Sequence, residues 1–257
     1  MSPTHDERVR REFARQAEAY AASPSVSRPA LVDWLVRLTD PRPGQRVLDV
    51  ACGPAHVTLA FARLGCRVTG IDLTPETLRV ARRRVRQEAP RAGAGLVCGN
   101  ARCLAFRDAS FDLCVCRSSF HHLPDPAAAL SEMRRVTRSG GRVATLDHVT
   151  SEDAPEAAWH NQMETLRDPS HAACLSPSAW RRLYAEAGLL PDREESASFP
   201  FDFEEWYERA FQGAAVKERV RDSVLGHPSS GVPGLRLLSR EPLTLQFDFL
   251  ALSAPVS

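Results

Sequence analysis

The chain has 257 residues, 43% of them hydrophobic and 25% charged, the proportions of an ordinary soluble globular protein with room for one large α/β core. Thirty-three basic residues stand against 32 acidic ones for a formal net charge of +1, so no overall field draws in a polyanion and nucleic acid is not expected as a partner. The charged start MSPTHDERVRREF and the lack of a long apolar run argue against a secretory signal or a membrane span, and point to a cytoplasmic protein.

In chain order, residues 5–22 carry Val9, Phe13, Ala17 and Tyr20 at helical spacing, and residues 30–38 carry Leu31, Trp34, Leu35 and Leu38 likewise, which predicts two amphipathic helices. Pro41, Pro43 and Gly44 end that pattern. Short apolar runs then follow at Arg46–Val50, Arg67–Ile71, Gly95–Cys98, Phe111–Cys116 and Arg142–Leu146, separated by segments able to form helices. Such alternation predicts a parallel sheet covered on both faces, with right-handed crossovers. The basic run Arg79, Arg82, Arg83, Arg84 and Arg86 is interleaved with Val80, Ala81 and Val85, so it reads as a solvated helix face. Residues 151–187 are rich in helix formers but interrupted by Pro169 and Pro177, and read as helices inserted after the fifth strand. The stretch 226–234 is turn-rich and reads as a mobile loop. In Leu243–Leu252 strict alternation puts Leu243, Leu245, Phe247 and Phe249 on one face of a terminal strand.

The seven cysteines (Cys52, Cys66, Cys98, Cys103, Cys114, Cys116 and Cys174) are odd in number and mostly in apolar contexts, so they read as reduced core residues. Cys114 and Cys116 share a strand face, but no second Cys/His pair stands at zinc spacing, and no metal centre is expected.

In an open parallel sheet, ligands bind beyond the carboxyl ends of the strands, where the strand order reverses. The first strand leads into VLDVACGPAHVTLAFA (Val47–Ala62), an acid within an apolar run, a small-residue turn and then a helix; small residues let a ligand approach the backbone. The second strand ends at Asp72, at the spacing where nucleotide-binding folds place the acid that holds ribose hydroxyls. An anionic Asp49 would repel a pyrophosphate and suits an amino-acid moiety beside a sulfonium. Ala51 and Ala55 cannot take a positive φ cheaply, so the loop is expected to be right-handed at both.

VLDVACGPAH, GIDLTPETL (Gly70–Leu78) and the stretch Gly99–His148 together resemble the ordered motifs of class I S-adenosylmethionine-dependent methyltransferases, in particular the ubiquinone/menaquinone-biosynthesis and natural-product small-molecule group, over roughly residues 40–150. The resemblance implies an α/β Rossmann-like fold with a mostly parallel seven-stranded sheet, helices on both faces and a helical cap. It divides the chain into an N-terminal helical lid (1–40), a cofactor-binding core (41–150), a helical insertion forming the acceptor pocket (151–235) and a C-terminal strand completing the sheet (236–257). It also implies that the loop of Asp49, Ala51, Gly53 and Ala55 holds the methionine part of S-adenosyl-L-methionine, that Asp72 binds both ribose hydroxyls, that Leu73 lies against adenine, and that Asn100 and Ala101 read the adenine edge. Arg117 and the lid residue Tyr20 are counted with these. Ala51 and Ala55 depart from the usual Gly, and Asn100 from the usual Asp.

Methyl transfer needs in-line approach, exclusion of water and removal of a proton when the acceptor is a hydroxyl. His121 and His122 follow the fourth strand and Asp147 ends the fifth, which puts all three on one sheet edge; in similar enzymes such positions assist proton removal. His148 is an adjacent alternative. The string Arg167, Asp168, Pro169, Ser170, His171 resembles an insertion of a bacterial subgroup, so Arg167, Asp168 and His171 are candidates for the acceptor pocket. On the N-terminal helix Phe13, Gln16 and Tyr20 share a stripe, with Tyr20 the better lid residue. The expected activity is methyl transfer to O, N or C of a small molecule in secondary or quinone-type metabolism, by a monomer or homodimer. The alternative is an S-adenosylmethionine-binding enzyme that catalyses a pericyclic or decarboxylative step.

Overall fold

Five strands, β1 (Arg46–Val50), β2 (Arg67–Asp72), β3 (Ala94–Cys98), β4 (Phe111–Arg117) and β5 (Thr137–His148), pair in parallel in the order β3-β2-β1-β4-β5. The computed structural model describes residues 3–90, 93–210, 212–227 and 234–257; most of the loop expected at 226–234 lies outside them. Three further strands, β6 (Arg193–Asp202), β7 (Leu235–Arg240) and β8 (Leu243–Pro255), join antiparallel, so the sheet has eight strands among the described residues and not seven. β8 pairs with β6 along one side, and with β5 and then β7 along the other.

β6 was not visible as a strand because most of REESASFPFD is exposed at the sheet edge, where no apolar alternation is required. Its Pro200 and its charges at Arg193, Glu194 and Glu195 suit an edge that must not recruit another chain. β5 begins five residues earlier than expected, with a bulge opposite Phe111–Leu113. Gly141 makes that bulge possible, since a Cβ there would lie 2.6 Å from the Asp112 carbonyl oxygen.

Strand alternation sends successive side chains to two cores. Val47, Leu113, Val115, Leu245, Phe247 and Phe249 face one side, with α3 (Pro29–Thr39) and α4 (His56–Arg63) packed on them. Leu48, Val50, Cys114, Cys116, Leu250 and Leu252 face the other, under α6 (Pro126–Val136) and α8 (Pro177–Glu186). Each fully buried side chain of the size of Leu35 or Phe61 contributes about 1.5–3 kcal/mol relative to exposure. Cys98 and Cys103 are exposed, against the expectation of core cysteines, because β3 is the other sheet edge and Cys103 lies in the loop beyond it. α5 (Pro75–Glu88) carries the basic run, and Arg79, Arg83 and Arg84 pair there with Glu76, Glu18 and Glu88.

α1 (His5–Ala22) starts from a capping box of Thr4 and Glu7 and lies across the carboxyl edge of the sheet. The remaining helices are α2 (Pro24–Ser27), α7 (Ala154–Arg167), α9 (Phe203–Glu208) and α10 (Ala214–Gly226), with a 3₁₀ turn at Phe120–His122. No helix of the described residues is long and apolar enough to cross a membrane.

After β1 the chain takes a left-handed conformation at Ala51 (φ 53°), Gly53 (φ 52°) and Ala55 (φ 70°). The expectation of a right-handed loop at the two alanines is therefore overturned. The chain must reverse between β1 and α4 while the Cys52 and Gly53 amides donate to the Ile71 carbonyl and the Asp72 carboxylate, and these contacts hold alanine where it costs roughly 1–2 kcal/mol per residue. Ala55 is fully buried, so removing its methyl would open a void, but Ala51 is only partly buried. Ala51→Gly is accordingly expected to raise stability by about 1 kcal/mol, read as a higher urea midpoint; a lower midpoint would show that the loop is not strained there.

Candidate active site

The reversal of strand order between β1 and β4 opens a cleft at the carboxyl edge of the sheet. β1, β2 and β3 deliver Asp49, Ala51, Gly53, Asp72, Leu73, Asn100 and Ala101 to its wall, β4 delivers Arg117, and α1 covers it with Asp6, Phe13 and Tyr20. Nine of the ten expected cofactor residues thus line one cavity. Ala55 does not; it is fully buried as the residue that starts α4.

Asp72 accepts from the Gly53 and Thr74 amides, each at 2.9 Å. These bonds aim its carboxylate into the cleft, and burial raises its pKa. Asp49, expected as an anion, is buried and accepts from the Thr58 hydroxyl at 2.6 Å. Loss of solvent pushes its pKa up to about 7, against the hydrogen bond from Thr58 and the charge of Arg117, so it is poised between acid and anion. Asn100 donates to Asp6 and accepts from the Arg102 amide, while the Arg102 guanidinium pairs with Asp6 at 2.7 Å. His5 Nε2 lies 2.8 Å from the His122 carbonyl oxygen. Together these contacts latch the start of α1 over the cleft.

A second chamber adjoins the first, and Phe13, Tyr20, Arg117 and His122 line both. Its own wall includes His121, His148, Arg167, Asp168 and an aromatic side of Phe201, Trp206, Phe247 and Phe249. Gln16, Glu164 and Arg209 also face it; Glu164 and Arg209 carried no signal in the sequence, since single charged residues on helices resemble any solvated position.

Asp147 stands behind this wall, 2% exposed. One of its oxygens accepts from the Ser119 and Phe120 amides at 3.1 and 2.8 Å; the other faces His121 Nδ1 at 2.7 Å and the His148 amide at 2.9 Å. Burial would raise its pKa, but the two imidazoles beside it hold it well below the usual carboxylate range. His121 is pushed down to about 3 by burial, partly opposed by Asp147. It is therefore neutral, with Nδ1–H donated to Asp147 and a lone pair left at Nε2. His122 Nδ1 donates to the Ser170 carbonyl at 3.1 Å, and its ring meets Phe13 edge-on at 4.9 Å. Arg167 is neutralised by Glu164 at 2.8 Å and sits over the Trp206 ring. His171 does not reach the chamber wall; it lies behind, bonded through Nε2 to Asn161 at 2.8 Å. A further grouping, His148, His160 and Cys174, was missed because the three are separated by twelve and fourteen residues, outside any metal-ligand spacing read from sequence.

Residues 48–145 match a family model described as a methyltransferase domain. The chain is 30% identical over 208 residues to the uncharacterized methyltransferase YcgJ of Bacillus subtilis, covering 81% of this chain and 82% of that one. The crystal structure of YcgJ superposes with a TM-score of 0.80 at 26% identity, over 88% of this chain and 98% of that one. A demethylmenaquinone methyltransferase of Renibacterium salmoninarum is 32% identical over 162 residues, 62% of this chain and 66% of its own length. The [4+2]-cyclase SpnF shares the fold, with a TM-score of 0.70 at 20% identity over 100% of this chain and 98% of that one.

The buried histidines make stability depend on pH. His121 and His160 are pushed down to about 3 and His171 to about 4, in each case chiefly by burial. Their contribution is complete above the unfolded value near 6.5 and is lost as pH falls, because the unfolded chain takes up protons that the folded one refuses. Asp49, raised to about 7, acts oppositely, and its contribution is lost as pH rises through that value. His56 and His122 are lowered as well, and Asp72 is raised, in each case chiefly by burial, so five lowered imidazoles against two raised carboxyls decide the sign: the urea midpoint should fall between pH 7 and pH 5, and a midpoint that rises over that interval would contradict the buried imidazoles.

Proposed function

The chain belongs to the class I S-adenosylmethionine-dependent methyltransferases, and from that membership we propose that it methylates a small, partly aromatic acceptor bearing an ionisable hydroxyl, with His121 as the general base. The observation that carries this reading is the pair of adjoining cavities sharing Phe13, Tyr20, Arg117 and His122. One cavity has the features a nucleoside needs, and the other is a recess lined by histidines and aromatic rings, of a kind that suits a small molecule.

The cofactor fits the first cavity by its chemistry. Asp72 has lone pairs free for ribose hydroxyls, Ile71 and Leu73 offer apolar surface, and the small side chains of Ala51 and Gly53 leave the backbone accessible. A carboxyl held near neutrality by burial, as Asp49 is, becomes fully anionic when a cation is placed beside it. When bound, S-adenosylmethionine supplies an electrophilic methyl group on a sulfonium centre.

In the second cavity Trp206, Phe247 and Phe249 offer a surface for a flat ring. Nε2 of Gln16 and Nε of Arg117 are buried with no hydrogen-bond partner among the described residues, and an acceptor oxygen would satisfy such donors. Asp147 fixes the His121 tautomer that leaves Nε2 open to the acceptor's proton, and its carboxylate, which opposes the burial that otherwise lowers the His121 pKa, stabilises the imidazolium formed on proton transfer. α1 covers part of both cavities with Phe13 and Tyr20. The similarity to a demethylmenaquinone methyltransferase supports an acceptor of quinol type. Formation of S-adenosylhomocysteine in step with methylated product tests the reading and separates it from a reaction that leaves the cofactor unchanged.

Asp49 and His121 give separate signatures. S-adenosylmethionine affinity should weaken as pH falls from 7.5 to 5.5, by up to tenfold per unit, because protonation of Asp49 near pH 7 removes the anion that faces the cationic ligand. Asp49→Asn should bind weakly and without that pH dependence in calorimetry; an unchanged slope would move the titration to another group. His121→Ala should lower kcat by ~10²–10⁴-fold while the cofactor Kd stays within a few-fold of the parent. Full activity in that variant would remove His121 from the mechanism.

A further inference from the structure

At the wall of the acceptor chamber formed by His148, and behind it, three elements bring together side chains to which the proposed reaction gives no task. His148 ends β5, His160 lies midway along α7, and Cys174 sits in the segment between α7 and α8. One potential ligand atom from each, an imidazole nitrogen or the thiol sulfur, lies within 4.8 Å of the other two. His160 and Cys174 are buried at 1% and 4% exposure, and the His148 side chain is 11% exposed.

The orientation of the donors favours a ligand set over ordinary core packing. His148 Nδ1 is 3.3 Å from Asp147, while its Nε2 is buried with no hydrogen-bond partner among the described residues. His160 turns Nε2 toward Cys174 Sγ at 4.0 Å, and the two histidine rings stand 6.0 Å apart, centroid to centroid. A tetrahedral ion with bonds of about 2.0–2.1 Å to nitrogen and 2.3 Å to sulfur spaces its ligands roughly 3.3–3.8 Å apart, so modest side-chain rotations close the set. A carboxylate behind a metal-bound imidazole is the usual outer partner that fixes its tautomer, and Asp147 holds that position. Charge also balances, since a divalent cation facing one thiolate and the Asp147 carboxylate leaves no net charge in a buried site.

We infer that His148, His160 and Cys174 form a three-ligand site for a divalent cation of the zinc class, which ties β5, α7 and the segment before α8 into one rigid wall of the acceptor chamber. Two imidazoles and one thiolate suit a borderline-soft ion and not magnesium or calcium, which require oxygen ligands. The site is independent of the acceptor's identity, and its test needs no turnover.

The full chain, stripped with a chelator, is titrated with Co²⁺ as a spectroscopic probe and then with Zn²⁺. One equivalent of Co²⁺ should give a thiolate-to-cobalt charge-transfer band with the visible bands of a tetrahedral centre, and one equivalent of Zn²⁺ should bleach both. Cys174→Ser should abolish the charge-transfer band, His160→Gln should weaken Co²⁺ binding at least tenfold, and the double variant Cys98→Ser/Cys103→Ser, which removes the exposed thiols, should retain the whole spectrum. Absence of the band, its survival in Cys174→Ser, or its loss in the double variant would overturn the site. X-ray absorption of the zinc-loaded parent protein keeps the test decisive even where a variant fails to fold: one sulfur with nitrogen or oxygen neighbours supports the assignment, and no sulfur or several sulfurs refutes it.

Discussion

The buried carboxylate of Asp147 is the contact on which the active-site edge depends. It accepts from the backbone amides of Ser119, Phe120 and His148 and from the His121 ring, so it ties the end of β5 to the turn that follows β4. An ionised carboxylate with so little solvent contact persists only when its oxygens are saturated with donors. Without it, three amides and an imidazole would be left unpaired in the same small volume, and the two cavities would lose their common wall.

An imidazole cluster grows from that anchor. His121 lies 4.2 Å from His122 and 4.1 Å from His148, ring centre to ring centre, a spacing that charged rings would not tolerate without compensation. Burial keeps His121 unprotonated and lowers the pKa of His122, and Asp147 and the Ser170 carbonyl fix which nitrogen of each carries the hydrogen. Packing and electrostatics therefore set the protonation pattern together, before any ligand enters.

Much of this edge was legible in the sequence. Parallel strands are apolar on both faces and end in short turns, so β1 to β4 stood within a residue of their observed bounds, and Asp49, Asp72, His121 and Asp147 followed from strand ends. What depends on contacts between distant segments was not legible. β6 is an exposed edge whose pairing with β8 gives it its shape; the backbone sign at Ala51 and Ala55 is dictated by bonds to β2; and the acid–anion balance of Asp49 is set by how completely the fold removes water from it. His160 and Cys174 are ordinary residues of a helix and a loop until the fold places them beside His148.

The latch at the start of α1 has a kinetic meaning. Asp6 pairs with Arg102, and His5 reaches the backbone of His122, across the mouth of a cleft that continues into the acceptor chamber. Both halves of that latch are only partly shielded, with Asp6 and Arg102 side chains 31% and 28% exposed. Separating the start of α1 from the sheet edge thus requires breaking this solvent-touched ion pair and the His5 contact, and not unfolding of the helix. Since mobile ions compete for such a pair, the ionic composition of the surroundings weakens or strengthens this closure of the cleft mouth.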